Sequence, residues 1–266
     1  MMKRGSWLAC ALTLGNLACG FAAVILAIQG CRRPALFHPV PHELVQGAWL
    51  LFLGMLLDGL DGRVARMTRG DGAFGAELDS LADMVSFGVA PAVLAWTVGS
   101  LAGLPEGVLW ASGALYVSAA ALRLARYNVA HASPHLHPTR RSPDFEGLPS
   151  PAAAGLVGGF ILLLESQSIS LAGVLPALVT VAGLLMVSRI PYLHVMNRLG
   201  KVPRPVLTAA GLGFLACLAL YPSLTLCVAF VGYALAGPAK GLFILLRPRS
   251  PEEEEDRWTD EPLRRR

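Results

Sequence analysis

Charge is scarce in this chain: Asp, Glu, Lys and Arg supply 15% of its 266 residues, whereas hydrophobic residues supply 54%. With a positive mean hydropathy and apolar blocks recurring from end to end, that scarcity excludes a soluble globular protein and points to a polytopic membrane protein. Cysteine is sparse too. Its five copies, at 10, 19, 31, 217 and 227, show no close pairing, which excludes a disulfide framework or a zinc site. Cys10 and Cys19 each follow Leu-Ala but lack the leucine of a lipidation box, so both are expected to pack. There is no internal repeat and no Gly-rich phosphate cradle of the P-loop kind.

What is present is a series of eight apolar segments, at about 8–29, 45–57, 85–101, 108–122, 152–164, 171–187, 206–220 and 224–246. Several fall short of the roughly 20 residues that a lone span needs, so the second to fourth helices are expected to continue through polar ends facing the bundle interior. The expected fold is an all-α, polytopic integral membrane bundle of about eight helices, with a membrane domain over 1–247 and a charged, solvated tail over 248–266. Lys3 and Arg4 before an apolar run resemble a secretory signal, but a small-x-small cleavage site is missing. With both termini inside, only Arg32 and Arg33 of the 22 Lys and Arg residues fall on the non-cytoplasmic side. That asymmetry predicts cytoplasmic termini in the cell (inner) membrane.

Four acids interrupt this apolar pattern: Asp58 and Asp61 at the end of the second segment, Asp79 and Asp83 at the start of the third. Charges at membrane depth cost about 2.5–3.5 kcal/mol each on insertion scales, so roughly 10 kcal/mol must be recovered from something such as a bound cation. On a helix, Asp58, Asp61, Gly62, Ala65 and Arg66 share one stripe, and Gly75, Asp79 and Asp83 share another. A turn over 68–72 lets the stripes face each other, with the four carboxylates meeting in one pocket at the cytoplasmic mouth. Hard oxygen ligands with no soft ligand nearby predict Mg²⁺-like chemistry. Gly62 and Gly75 leave the pocket wall open to a pyrophosphate or sugar, and Arg66 adds positive charge beside phosphates. Ion pairing of the acids with Arg63, Arg66 and Arg69, or a carboxylate-based ion transporter, are the competing readings.

The eight positions Asp58, Asp61, Gly62, Ala65, Arg66, Gly75, Asp79 and Asp83, at this spacing, resemble the signature of the CDP-alcohol phosphatidyltransferase family. The stretches 79–92, 123–128 and 145–153, with Thr13-Leu14-Gly15-Asn16, look like its phosphatidylserine synthase branch. The similarity runs over roughly residues 8–245. It implies an integral membrane enzyme, usually a homodimer, that moves a phosphatidyl group from CDP-diacylglycerol to L-serine and releases CMP. By position, Asp58, Asp61, Asp79 and Asp83 would hold Mg²⁺ or Mn²⁺, with Asp83 also the general base. Asp58, Gly62, Ala65, Arg66, Gly75 and Asp79 would bind the CDP moiety. Glycerol 3-phosphate or inositol phosphate as acceptor, or an ether lipid as donor, would use the same chemistry.

Recognition of serine needs groups for a carboxylate and an ammonium. Arg123 and Arg126, three apart on the fourth helix, suit an anion or serve as positive-inside anchors, with Arg126 favoured for the anion. Glu77 and Ser86 flank the acidic stripe and either contact the acceptor or pack and cap. His131, His135 and His137 are expected in a solvated, proline-broken loop rather than at a metal. Arg140 and Arg141 there, and Arg189, Arg198, Lys201 and Arg204 further on, serve topology, lipid or nucleotide contact, and no nucleic-acid partner is expected.

Overall fold

The computed structural model describes residues 4–32, 40–68, 73–132, 145–166, 169–192 and 203–246. Every apolar segment of the sequence lies in a helix. These are α1 (Arg4–Cys31), α2 (His42–Thr68), α3 (Ala73–Asp83), α4 (Ala90–Leu101), α5 (Glu106–Ala132), α6 (Ser150–Ser166), α7 (Leu175–Val187), α8 (Arg204–Leu220) and α9 (Pro222–Leu246). Among the described residues, five helical stretches are long and apolar enough to cross a membrane: Trp7–Cys31, His42–Met67, Phe74–Leu101, Glu106–Val129 and Pro222–Leu242. Three more, Ser150–Glu165, Leu171–Val187 and Pro205–Leu220, are apolar but shorter, the second joining the end of a 3₁₀ helix (Ile169–Val174) to α7. The short apolar cores of the second to fourth segments do continue through polar ends: α2 carries Asp58 and Asp61, and α5 carries Arg123 and Arg126.

The third span is not one regular helix. Six residues of π-helix, Met84–Val89, join α3 to α4 directly after Asp83. A π turn inserts one residue into the helical register and leaves backbone groups poorly paired, which is why such turns recur at functional sites. Here the buried Tyr116 hydroxyl on α5 donates to the Phe87 carbonyl at 3.0 Å. The turn also aims Ser86 at α1, where its hydroxyl donates to the Asn16 carbonyl at 2.8 Å.

The Ala- and Gly-rich α6 is the central helix, buried along most of its length and packed against α2, α4, α7 and α9. Small residues let neighbouring backbones close in. A Cβ at Gly159 would stand 3.0 Å from the Cys227 Cα on α9, and one at Gly155 would overlap the Phe230 ring.

A two-residue antiparallel pair ties the loops before α6 and after α7, with β1 (Phe145–Glu146) against β2 (Pro191–Tyr192). Gly147 follows at φ 82°, a left-handed conformation that glycine adopts freely. From β2 the buried Tyr192 reaches α9, and its hydroxyl donates to the Ala234 carbonyl at 2.9 Å. The residue four beyond Ala234 is Pro238, which lacks the N–H that would serve that carbonyl in a regular helix. Tyr192 therefore supplies the donor that proline removes, and its ring lies over the bare face of Gly237.

His131 lies in the last turn of α5 rather than in a loop, because the helix runs on past Asn128. Of the turn expected over 68–72, Thr68 is the last residue of α2, and residues 69–72, like His135, His137, Arg140, Arg141, Arg198, Lys201 and the tail over 248–266, fall outside the described residues.

Candidate active site

The acidic residues come together where α2 ends and α3 begins. One carboxylate oxygen from each of Asp58, Asp61 and Asp79 lies within 4.8 Å of the others, and Asp61 is only 5% exposed. Asp83, one turn beyond Asp79, is outside that group but close enough to interact electrostatically with Asp58 and Asp79. The expected antiparallel packing of α2 directly on α3 is not what brings the acids together, because each of these helices packs on α1 instead. Helix α1 lies along α2 and also touches α3, the π turn and α4, so it is the common platform beneath both pairs of acids.

Two fully or nearly buried polar residues on that platform reach the acids. The Thr13 hydroxyl donates to Asp61 Oδ2 at 2.7 Å. The Asn16 amide donates to Asp83 Oδ1 at 3.2 Å. In an apolar helix a threonine and an asparagine look like packing residues, so their only signal in the sequence is the resemblance carried by residues 13–16. Asp79 Oδ1, by contrast, is buried with no hydrogen-bond partner. A buried unpaired carboxylate oxygen is costly, and a bound cation would supply its missing partner.

The two arginines separate clearly. Arg123 points inward: its Nη1 donates to Ser150 Oγ at 2.9 Å, its buried Nε–H has no partner, and it interacts electrostatically with Asp83 and Tyr233. Arg126 is exposed and donates to the Val187 carbonyl at 3.2 Å, which ties α5 to the end of α7. The inward charge thus belongs to Arg123, not Arg126, because α6 and α7 fix how α5 is rotated.

Gly75 and Gly62 stand at an open wall. A Cβ on Gly75 would meet nothing within 4 Å, and one on Gly62 would meet only Arg66 Nη1 at 3.8 Å. Ala65 is half-buried, while Arg66 and Glu77 are exposed. Ser86 is 1% exposed and its one hydroxyl proton is committed to Asn16. On α3, Ser80 lies 3.0 Å from Asn128 Oδ1, which links the acid-bearing helix to α5.

A helical membrane bundle with three carboxylates turned to one point is a membrane-embedded protein carrying the hard-oxygen donor set that suits a divalent cation. Residues 6–188 match the CDP-alcohol phosphatidyltransferase family, and the chain belongs to that family. A Mycobacterium bovis protein named CDP-diacylglycerol--serine O-phosphatidyltransferase is 33% identical over 266 residues, covering 96% of this chain and 84% of that protein. Proteins of the same name from Helicobacter pylori and Methanocaldococcus jannaschii are 37% identical over 163 residues and 38% over 150. These cover 59% and 56% of this chain, and the match spans just under two thirds of each of those proteins, 65% in both cases.

Proposed function

We propose that this chain transfers the phosphatidyl group of CDP-diacylglycerol to the hydroxyl of L-serine, giving phosphatidylserine and CMP. The observation that carries the reading is the meeting of Asp58, Asp61 and Asp79 at one point, with Asp83 and the inward Arg123 beside them. The acceptor is taken from the name shared by the relatives, including the one matched along nearly the whole chain.

The residues fit a divalent metal. The donors are hard carboxylate oxygens, and Asp79 Oδ1 is buried without a protein partner. Asp58, Asp61 and Asp79 would hold Mg²⁺ or Mn²⁺, with Asp83 at the edge. When bound, the cation supplies positive charge against the pyrophosphate and the departing CMP.

The remaining chemistry belongs to the chain. Asp83 takes the proton of the serine hydroxyl as its oxygen bonds to the phosphatidyl phosphorus; the bond from that phosphorus to the CMP oxygen breaks, and CMP leaves with the electron pair. Gly62, Ala65 and Gly75 bound the CDP pocket, and Arg66 lies at its rim. Arg123 binds the serine carboxylate through a charge-assisted hydrogen bond. Glu77 is the remaining acid for the serine ammonium. Ser86 stays with α1.

The Lys and Arg distribution supports an active site and both termini on the cytoplasmic side of the cell (inner) membrane. We infer a homodimer, with the residues over 248–266 forming a solvated tail on the membrane domain.

The test is CMP release by purified protein in detergent with Mg²⁺ or Mn²⁺, comparing serine, glycerol 3-phosphate, inositol phosphate and no acceptor. Serine-dependent CMP with formation of phosphatidylserine supports the reading. Turnover with another alcohol overturns the acceptor, and no turnover under any condition returns the acids to ion transport.

A further inference from the structure

Helix α1 carries no acid, yet two of its side chains each grip an acid that belongs to a different helix. Thr13 grips Asp61 of α2 and Asn16 grips Asp83 of α3, and the two stand three residues apart on α1 and so on one face. A threonine hydroxyl has a single proton. Thr13 Oγ1 is 2.7 Å from Asp61 Oδ2 and 3.0 Å from the Ala9 carbonyl, and the shorter, charge-assisted contact is the one to the carboxylate. Asn16 is fully buried and is itself clamped: its backbone carbonyl accepts from Ser86, and a Cβ on Gly54 would stand 2.8 Å from its Oδ1. Asn16 Oδ1 itself is buried without a hydrogen-bond partner, so packing against Gly54 and the bond from Asn16 N–H to Asp83 Oδ1 are what orient the amide, and that bond leaves Asp83 Oδ2 for another partner.

We propose that Thr13 and Asn16 are positioning residues with separate tasks, Thr13 orienting Asp61 toward the metal and Asn16 orienting Asp83 toward the acceptor hydroxyl. The division rests on the phosphatidyl-transfer reading for Asn16 and on the metal site alone for Thr13. It follows from which acid each residue touches: Asp61 belongs to the converging trio, whereas Asp83 stands outside it.

The experiment measures two quantities on the full-length protein. Mn²⁺ binding without substrate is followed by the electron paramagnetic resonance signal of the free ion. CMP release is measured at saturating Mn²⁺. Thr13→Val is expected to weaken Mn²⁺ binding about 10- to 100-fold, the usual effect of removing a hydrogen bond that orients a ligand. Thr13→Ser, which keeps the hydroxyl, restores it. Asn16→Ala is expected to bind Mn²⁺ like the parent and keep its KM for CDP-diacylglycerol while kcat falls about 10-fold or more. Asn16→Ser, whose side chain is too short to reach Asp83, carries the same expectation and decides the matter if the alanine variant does not fold.

Parent-like values in the variants of both residues overturn the proposal, as does an equal loss in both quantities from either residue, which would make α1 a general scaffold. A parent that binds Mn²⁺ but releases no CMP with any acceptor sinks the transferase reading instead, and Thr13→Val still tests the metal half.

Discussion

Gly20 and Gly75 are glycines of one bundle at which an added methyl group has opposite consequences. At Gly20 a Cβ would stand 2.5 Å from Ser86 Oγ, 2.6 Å from Ser86 Cα and 2.9 Å from Ser86 N. Two of those atoms are backbone, so no rotamer change relieves the clash and α1 must part from the π turn. Overpacking of this kind costs about 1–3 kcal/mol, and losing the Ser86–Asn16 hydrogen bond adds about 1 kcal/mol. The gain in helix propensity from glycine to alanine returns at most about 1 kcal/mol. Gly20→Ala is therefore expected to be destabilised by roughly 1–3 kcal/mol net. At Gly75 the same methyl meets nothing within 4 Å, so Gly75→Ala keeps or slightly raises the melting temperature. Yet if Gly75 bounds the CDP pocket, the methyl occupies substrate space and KM for CDP-diacylglycerol rises. Thermal melting in detergent, paired with CMP-release kinetics, reads both effects. A parent-like melt for Gly20→Ala would refute the tight α1 contact, and an unchanged KM for Gly75→Ala would remove Gly75 from the pocket wall.

Asp79→Asn should cut CMP release about 100-fold, yet raise the melting temperature of the metal-free protein, because it takes a charge from a buried cluster and leaves a less costly neutral group. Added Mn²⁺ should stabilise the parent, by about 2.7 kcal/mol at 100 times its Kd, and leave Asp79→Asn nearly unmoved. Arg123→Gln is expected to raise KM for serine at least about tenfold, the loss of one charge-assisted hydrogen bond, while Arg126→Gln leaves it near the parent value; serine titrations compare the two. Tyr192→Phe keeps the ring on Gly237 but orphans the Ala234 carbonyl, costing about 1–3 kcal/mol in a melt. Adding Pro238→Ala to that variant should restore a helical donor and recover most of the loss.

The apolar runs and the spacing of the acids were enough to place the apolar helices among the described residues and to bring Asp58, Asp61 and Asp79 together, though not Asp83 with them, because hydrophobic length and the 3.6-residue period are local properties. What stayed hidden depends on neighbours distant in the chain. Arg123 and Arg126 are one turn apart, and only the positions of Ser150 and Val187 decide which faces inward. The π turn after Asp83 leaves no mark in composition, since Met84–Val89 reads as ordinary apolar helix. Nor does the sequence reveal that Tyr192 repairs the gap made by Pro238, a pairing across more than forty residues.

The arrangement also explains how a bundle so poor in charge keeps four acids in two spans. Three of them are treated differently, and the differences follow from which element faces each. Asp61 receives the Thr13 hydroxyl; Asp83 receives the Asn16 amide and the field of Arg123. Asp79 Oδ1 receives nothing from the protein. Had the acids been there only to hold helices together, the expected solution would be a direct ion pair for each, because an unpaired buried carboxylate costs several kcal/mol. Instead, among the described residues, the donors to Asp61 and Asp83 are uncharged, the Thr13 and Asn16 side chains of α1 and the Gly62 backbone N–H, which orient a carboxylate without neutralising it. Orientation of clustered carboxylates by uncharged groups favours a cation-binding centre over a structural ion-pair network.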